Sequence, residues 1–266
     1  MALLRLPEPY DFGLSTERFR AFGPDLANLW HEGALYRWLG GREVRIAAAS
    51  GGVDVEPFEA GARVLLGAAF DLDGFYDFAA ADPVLADVTR RLAGFRPPIA
   101  PDPFESLVTS ITAQQVSLFS AFAIRNRLLE RFSERGAVAI RFPAQAELGR
   151  TTEGELVALG FSRRKAEYVV QLARTELDWG ELAALPDGEV KERLTALRGL
   201  GEWTADWFLA RHLARPRAWP AGDLALQKAV ARFYPELAGD VRSAGERFDP
   251  FQNLTAHYLL TASRLP

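Results

Sequence analysis

Two kinds of apolar spacing divide the chain. Up to residue 82, apolar positions come in short runs such as 44–49 and 53–55, separated by Gly40-Gly41 and Ser50-Gly51-Gly52. Short apolar runs split by glycine-rich turns predict β-hairpins. Residues 15–30 carry a looser helical spacing, so residues 1–82 are expected to form an α+β domain with a small antiparallel sheet. Residues 79–86 and the prolines at 97, 98 and 101 read as a transition and a linker.

Beyond that point the period is helical. Asp102-Pro103-Phe104-Glu105 has the form of a helix start, with a side-chain cap, proline at the first position and a glutamate placed to reach back. Phe104, Leu107, Val108 and Ile111 then follow at the spacing of one buried helix face, and Phe119, Phe122, Leu128, Leu129 and Phe132 mark another. Thr152 and Glu155 open a short helix that Gly160 closes, and Ser162 caps the next. Residues 187–197 are helical until Arg198-Gly199-Leu200-Gly201 breaks the pattern, which resumes over 203–213. Pro216 and Pro220 interrupt it again, and Asp223 starts a helix through Phe233. The expected fold is mainly α, an N-terminal α+β domain followed by an all-α domain over 83–266.

Composition narrows the chemistry. The 266 residues are 48% hydrophobic and 25% charged, as in ordinary globular domains. No window approaches the ~20 apolar residues of a membrane span, and the N-terminus is too soon broken by Pro7 to be a signal peptide, so a cytoplasmic protein is expected. There is no cysteine, which excludes disulfides and cysteine-held zinc or iron–sulfur centres, and the three histidines show no ligand spacing. The net charge of −4 argues by itself against a nucleic-acid partner, but it is uneven: −6 over residues 1–90 and +2 over 91–266.

The stretch with most chemical content is Leu197-Arg198-Gly199-Leu200-Gly201-Glu202-Trp203-Thr204-Ala205. Two helices joined by so short a turn need glycines on either side of one apolar residue, and glycine permits positive φ and close approach of a ligand. The helix opening at Glu202 presents free N–H groups and the positive end of its dipole, together an anion cradle fit for a phosphate. Leu200 is the plug that seats the turn. The same residues also suit a plain αα-hairpin closed by a glycine cap. Asp223 follows in Trp219-Pro220-Ala221-Gly222-Asp223, and taken alone is an N-cap. Trp203 and Trp207 are likewise placed to be core aromatics sharing a helix face.

The hairpin, the following helix, the proline-rich loop over 214–223 and Asp223, in that order, resemble the helix-hairpin-helix DNA glycosylase superfamily, with the hairpin at about 187–213. Within it the chain looks like the bacterial and archaeal DNA-3-methyladenine glycosylase II branch. Pro9-Tyr10-Asp11-Phe12 is similar to the opening of that branch. Phe104-Glu105-Ser106-Leu107-Val108, followed by Gln114-Gln115-Val116-Ser117, is similar to its helix junction.

The resemblance implies Asp223 as the catalytic carboxylate and Trp203, Trp207, Phe12 and Phe248 as the base pocket. It implies DNA contacts at Gln114, Gln115, Gly199, Leu200, Gly201 and Thr204, with Gln115 wedged where the target nucleotide leaves the stack. It further implies no organic cofactor, and a Na⁺ or K⁺ held by the carbonyls of Arg198 and Leu200. Bifunctional relatives carry a lysine where Trp203 stands, and an indole cannot form a Schiff base. Near the C-terminus Phe248 and Gln252 depart from the branch, which more often has a pocket-lining Trp and an Arg there.

The expected activity is therefore hydrolytic excision of alkylated bases, 3-methyladenine or 7-methylguanine, from duplex DNA by a monomer in base excision repair. The competing readings are a glycosylase/lyase for oxidised bases, which Trp203 opposes, and a non-enzymatic hairpin module, which has no use for Asp223.

Overall fold

The computed structural model describes residues 2–265. The N-terminal part holds β1 (Ala2–Arg5), α1 (Phe12–Ser15), β2 (Asn28–His31), β3 (Ala34–Leu39), β4 (Arg42–Ala49), β5 (Gly52–Glu56) and α2 (Ala62–Leu65). The strands form one antiparallel sheet in the order β1-β5-β4-β3-β2. The turns of its two long hairpins sit where the glycines fall, with Gly40, Gly41 and Gly51 all at positive φ. Ile46 pairs with Leu35 on one side and Val55 on the other, and these residues with Leu4, Val44 and Val53 bury one face of the sheet against Phe12 and Leu65.

The helical spacing over 15–30 does not become a helix. Gly23-Pro24 ends any helical path, and after one 3-10 turn (Glu17–Phe19) the chain joins the sheet edge as β2. There Leu29 pairs with Tyr36.

The expected transition over 79–86 narrows to a turn at 80–82 between two helices, α3 (Leu72–Ala79) and α4 (Pro83–Arg91). Asp82-Pro83 is the same start signal as Asp102-Pro103, and the Asp82 carboxylate accepts from the Val84 and Leu85 N–H groups. Then come α5 (Pro103–Ala113), α6 (Leu118–Phe132), α7 (Gln145–Gly149), α8 (Glu153–Ala158) and α9 (Arg163–Arg174). They are followed by α10 (Trp179–Ala184), α11 (Asp187–Thr195), α12 (Glu202–Arg211), α13 (Leu224–Phe233), α14 (Val241–Ala244) and α15 (Gln252–Arg264). These helices share a second core running from Phe70 to Ala262, in which Leu107, Val169, Leu200, Phe208, Leu226 and Leu259 are buried. No helix among the described residues is long and apolar enough to cross a membrane.

The Glu105 side chain does not turn back to its helix cap as a capping box would require. Asp102 accepts from the Glu105 N–H, but the Glu105 carboxylate points away into a closed polar ring. Arg37 Nη2 reaches Glu105 Oε2 at 2.6 Å, Arg125 Nη2 reaches Oε1 at 2.5 Å, and Arg125 also bonds Asp25. Asn28 closes the ring between Asp25 and Arg37. All five side chains are buried, with two positive and two negative charges. The ring ties the sheet to α5 and α6, and forms one wall of the cleft between the two cores.

Candidate active site

That cleft encloses about 1000 Å³ and is bounded by the N-terminal part on one side and by α5, α6, α12, α13 and α15 on the other. One face of α12 runs down its wall. Trp203, Trp207 and Arg211 repeat every four residues, so they stack along that face from the hairpin inwards over roughly 12 Å.

The hairpin at the mouth is α11, a tight turn and α12. Gly199 has φ +89°, and a Cβ there would stand 2.2 Å from Cγ of Tyr168, so both the backbone and the neighbour require glycine. Gly201, for which the sequence also allowed positive φ, is extended at φ −96° and ψ 179°, and a Cβ on it would meet nothing. Its role is to be absent: no side chain caps α12, and the leading N–H groups of Glu202 and Trp203 have no partner among the described residues. Leu200 is buried in the core as the plug the turn needs. The Gln114 amide donates to the Gly199 carbonyl at 2.9 Å and lies 3.4 Å from the Thr204 hydroxyl, bracing the end of α5 against the hairpin. Among the described residues the carbonyls of Arg198 and Leu200 accept no hydrogen bond. No group of His, Asp or Glu among the described residues is placed to hold a metal ion.

Asp223 caps α13 and does more. Its Oδ1 accepts from the N–H groups of Ala225 and Leu226, at 2.9 and 3.0 Å. Its Oδ2 accepts from the indole N–H of Trp203 at 2.9 Å and of Trp207 at 3.0 Å. Burial pushes this carboxyl up. The donors from Trp203, the Leu226 N–H and Trp207, with the Arg211 charge behind them, outweigh it and leave Asp223 below the ordinary aspartate value. The group is a fixed anion at the rim of the cleft, beside exposed Gly222 and Leu224.

The two tryptophans therefore serve through their N–H edges. Trp203 is half-buried and lines the cleft. Trp207 is 2% exposed, and the Arg211 guanidinium lies over its ring at 3.4 Å, so that face is not open to a stacked base.

Two expected pocket residues lie elsewhere. Phe12 is buried under the sheet against Trp30, because α1 turns its apolar side to that core. Phe248 is fully buried between Trp219 and Tyr234, on a 3-10 turn (Gly245–Phe248) outside the cleft. Gln252 is also buried, donating to Asp249. The aromatic rings that do line the cleft, apart from the tryptophans, are Phe19, Phe22 and Phe122, with Phe22 stacked on Phe122 at 6.2 Å. Arg18, Arg211 and Arg264 also line it. Periodicity marks Phe122 as buried but gives no sign of the others, which come from separate elements, while Phe119, expected on the same buried face, is exposed. Gln115 stands exposed at the mouth with φ +54°, rare for a residue with a side chain, among exposed Val116, Leu118 and Phe119.

The description "HhH-GPD superfamily base excision DNA repair protein" matches residues 108–243, half of the chain, and the chain belongs to that family. It is similar to DNA-3-methyladenine glycosylase of Bacillus subtilis, 32% identical over 60% of this chain and 57% of that protein. DNA-3-methyladenine glycosylase 2 of Escherichia coli is 29% identical over the same shares. The chain thus spans little more than half the length of these curated relatives. Its fold follows a 3-methyladenine DNA-glycosylase from Archaeoglobus fulgidus throughout, with a TM-score of 0.89 and 27% identity over 100% of this chain and 99% of that one. An 8-oxoguanine glycosylase/lyase of Clostridium acetobutylicum, 19% identical at a TM-score of 0.81 over 96% of this chain and 92% of that one, shares the fold.

Proposed function

We propose that the protein is a monofunctional DNA glycosylase that hydrolyses the N-glycosidic bond of alkylated bases in duplex DNA. The observation that carries this reading is Asp223, ionised and clamped by two indole N–H groups at the rim of a cleft next to the hairpin. The names of its Bacillus, Escherichia and Archaeoglobus relatives support it.

The duplex docks with a phosphate on the free N–H groups of α12, with a monovalent cation on the Arg198 and Leu200 carbonyls as part of the same turn. The damaged nucleotide swings out, at a cost of a few kcal/mol, and Gln115 fills the gap it leaves. An ionised carboxylate offers about four lone-pair sites, and Asp223 already has four donors. It is therefore poorly placed to take a proton from water. Its contribution is fixed negative charge, which stabilises the oxocarbenium sugar as the bond to the base breaks. Water then adds to C1′ and releases its proton to solvent, leaving neutral free base and an abasic site. A base such as 3-methyladenine or 7-methylguanine is cationic and departs neutral, so it needs little help on its own side.

Among the described residues no lysine is placed for a lyase step. None of the three lysines lines the cleft. Lys191 pairs with Asp206 at 2.7 Å, and Lys165 donates to the Thr112 carbonyl.

The test is incubation with methylated duplex DNA, reading released bases by chromatography and strand breaks before and after alkali. The reading predicts free 3-methyladenine or 7-methylguanine, strands cut only after alkali, and no protein–DNA adduct on borohydride treatment. Release of no base, or a borohydride adduct, contradicts it.

A further inference from the structure

Two arginines in the cleft have no acceptor. Arg18, on the 3-10 turn (Glu17–Phe19), and Arg211, at the inner end of α12, both line it half-buried. Neither makes a hydrogen bond or ion pair among the described residues, whereas Arg264 nearby is held by Glu17 at 2.9 Å. Arg211 spends one face on Trp207, and its Nε is buried without an acceptor. Burial first, then the charges of Arg18 and Arg264, push Arg211 well below the usual arginine value, with Asp223 pulling the other way. His257, buried edge-on to Trp207, has its Nε2 unpartnered; burial and the charges of Arg211, Arg18 and Arg264 push it well below the ordinary imidazole value. Leaving two half-buried guanidinium groups unpaired in the cleft costs free energy that an incoming acceptor would recover.

Their position sets what the acceptor is. Asp223 bonds Trp203 and Trp207, the outer two residues of the α12 face, and Arg211 lies one turn deeper. A flipped nucleotide enters sugar last, so its sugar stands at Asp223 and its base at the arginines. We infer that Arg18 and Arg211 form a leaving-group site that stabilises an uncharged base as it departs. This rests on the glycosylase reading above and extends it to neutral lesions carrying ring or exocyclic acceptors.

The electron balance explains the need. When the C1′–N bond of a neutral base breaks, the electron pair leaves with the nitrogen and the base becomes an anion. Water then forms the C1′–O bond and gives up a proton, and the departed base takes one. Anionic Asp223 on the sugar and cationic arginines on the base align with that separation of charge. A cationic base gains nothing from the arginines and is repelled by them before it reacts.

Duplexes holding one hypoxanthine, a neutral purine with an O6 acceptor, and one 7-methylguanine, a cationic purine, separate these cases. Single-turnover release is measured for wild type, Arg18→Gln and Arg211→Gln, the two variants lying in different parts of the fold. The expected result is that the hypoxanthine to 7-methylguanine rate ratio falls about tenfold or more in each variant, the loss of a charged hydrogen bond. A variant ratio equal to that of wild type, including a common drop in both rates, overturns the inference and leaves the glycosylase reading standing. Wild-type release of 7-methylguanine without any hypoxanthine also overturns the inference alone, while release of neither base overturns the reading and the inference with it.

Discussion

On Asp223 the two oxygens are divided between tasks: Oδ1 holds the first turn of α13, and Oδ2 is held in turn by Trp203 and Trp207. Because the donors favour the charged form, the folded value is depressed, and the carboxylate's contribution to stability is full above its unfolded value. That contribution fades as pH falls through the lower folded value. A carbon-13 NMR titration of the Asp223 carboxyl should have its midpoint below about 3.9, the ordinary aspartate value. Trp203→Phe, which deletes one donor, should move the midpoint upward. A wild-type midpoint at or above the ordinary value, or no change in the variant, would contradict this account of the site. The cap itself is legible in the sequence because capping is local. The indole donors are not, since Trp203 and Asp223 meet only when α12 and α13 pack.

At the scale of the element, the hairpin separates two glycines that look equivalent in sequence. Gly199→Ala places a side chain at φ +89° against Tyr168 and should cost about 1–3 kcal/mol of stability in a urea melt. Gly201→Ala meets no clash and should keep nearly wild-type stability, with a loss of about 1 kcal/mol at most for exchanging a cap glycine. DNA affinity of Gly201→Ala should nevertheless fall for damaged and undamaged duplex alike, because the methyl group stands before the N–H groups of α12. The slope of log affinity against log salt should become shallower by about one for each phosphate that the hairpin no longer holds. A wild-type salt slope in folded Gly201→Ala would remove the hairpin from the DNA interface. Helix starts such as Asp102-Pro103, Thr152…Glu155 and Ser162 are readable for the reason that Asp223 is: each cap is satisfied within four residues. The same rule applied to Glu105 fails, because a tertiary partner offers the carboxylate more than its own helix terminus does.

At the scale of the molecule, the buried ring of Asp25, Arg125, Glu105, Arg37 and Asn28 fixes the sheet to the helices and so sets the width of the cleft. Glu105→Ala leaves two buried arginines short of charge and should destabilise the protein by about 3–5 kcal/mol. Denaturant titration checks this, and a loss below about 1 kcal/mol would show the ring to be incidental. Nothing local announces such a ring, nor the cleft arginines from the 3-10 turn at Glu17 and the end of α12, because both are products of the join between two cores. Phe12 and Phe248 show the reverse error, aromatic residues whose place in a motif suggested a pocket and whose burial belongs to separate packing.

The central claim is that one fixed charge at the rim of the cleft drives base release, and Asp223→Asn isolates it. The amide keeps an oxygen for the α13 cap but turns its NH2 toward the indole N–H groups of Trp203 and Trp207, so some stability is lost and release is compared in folded, DNA-saturated protein. Single-turnover release of 3-methyladenine from a saturated complex should fall by roughly 10²–10³ or more, the usual consequence of removing one preorganised charge. Release by Asp223→Asn at the wild-type rate would contradict the account.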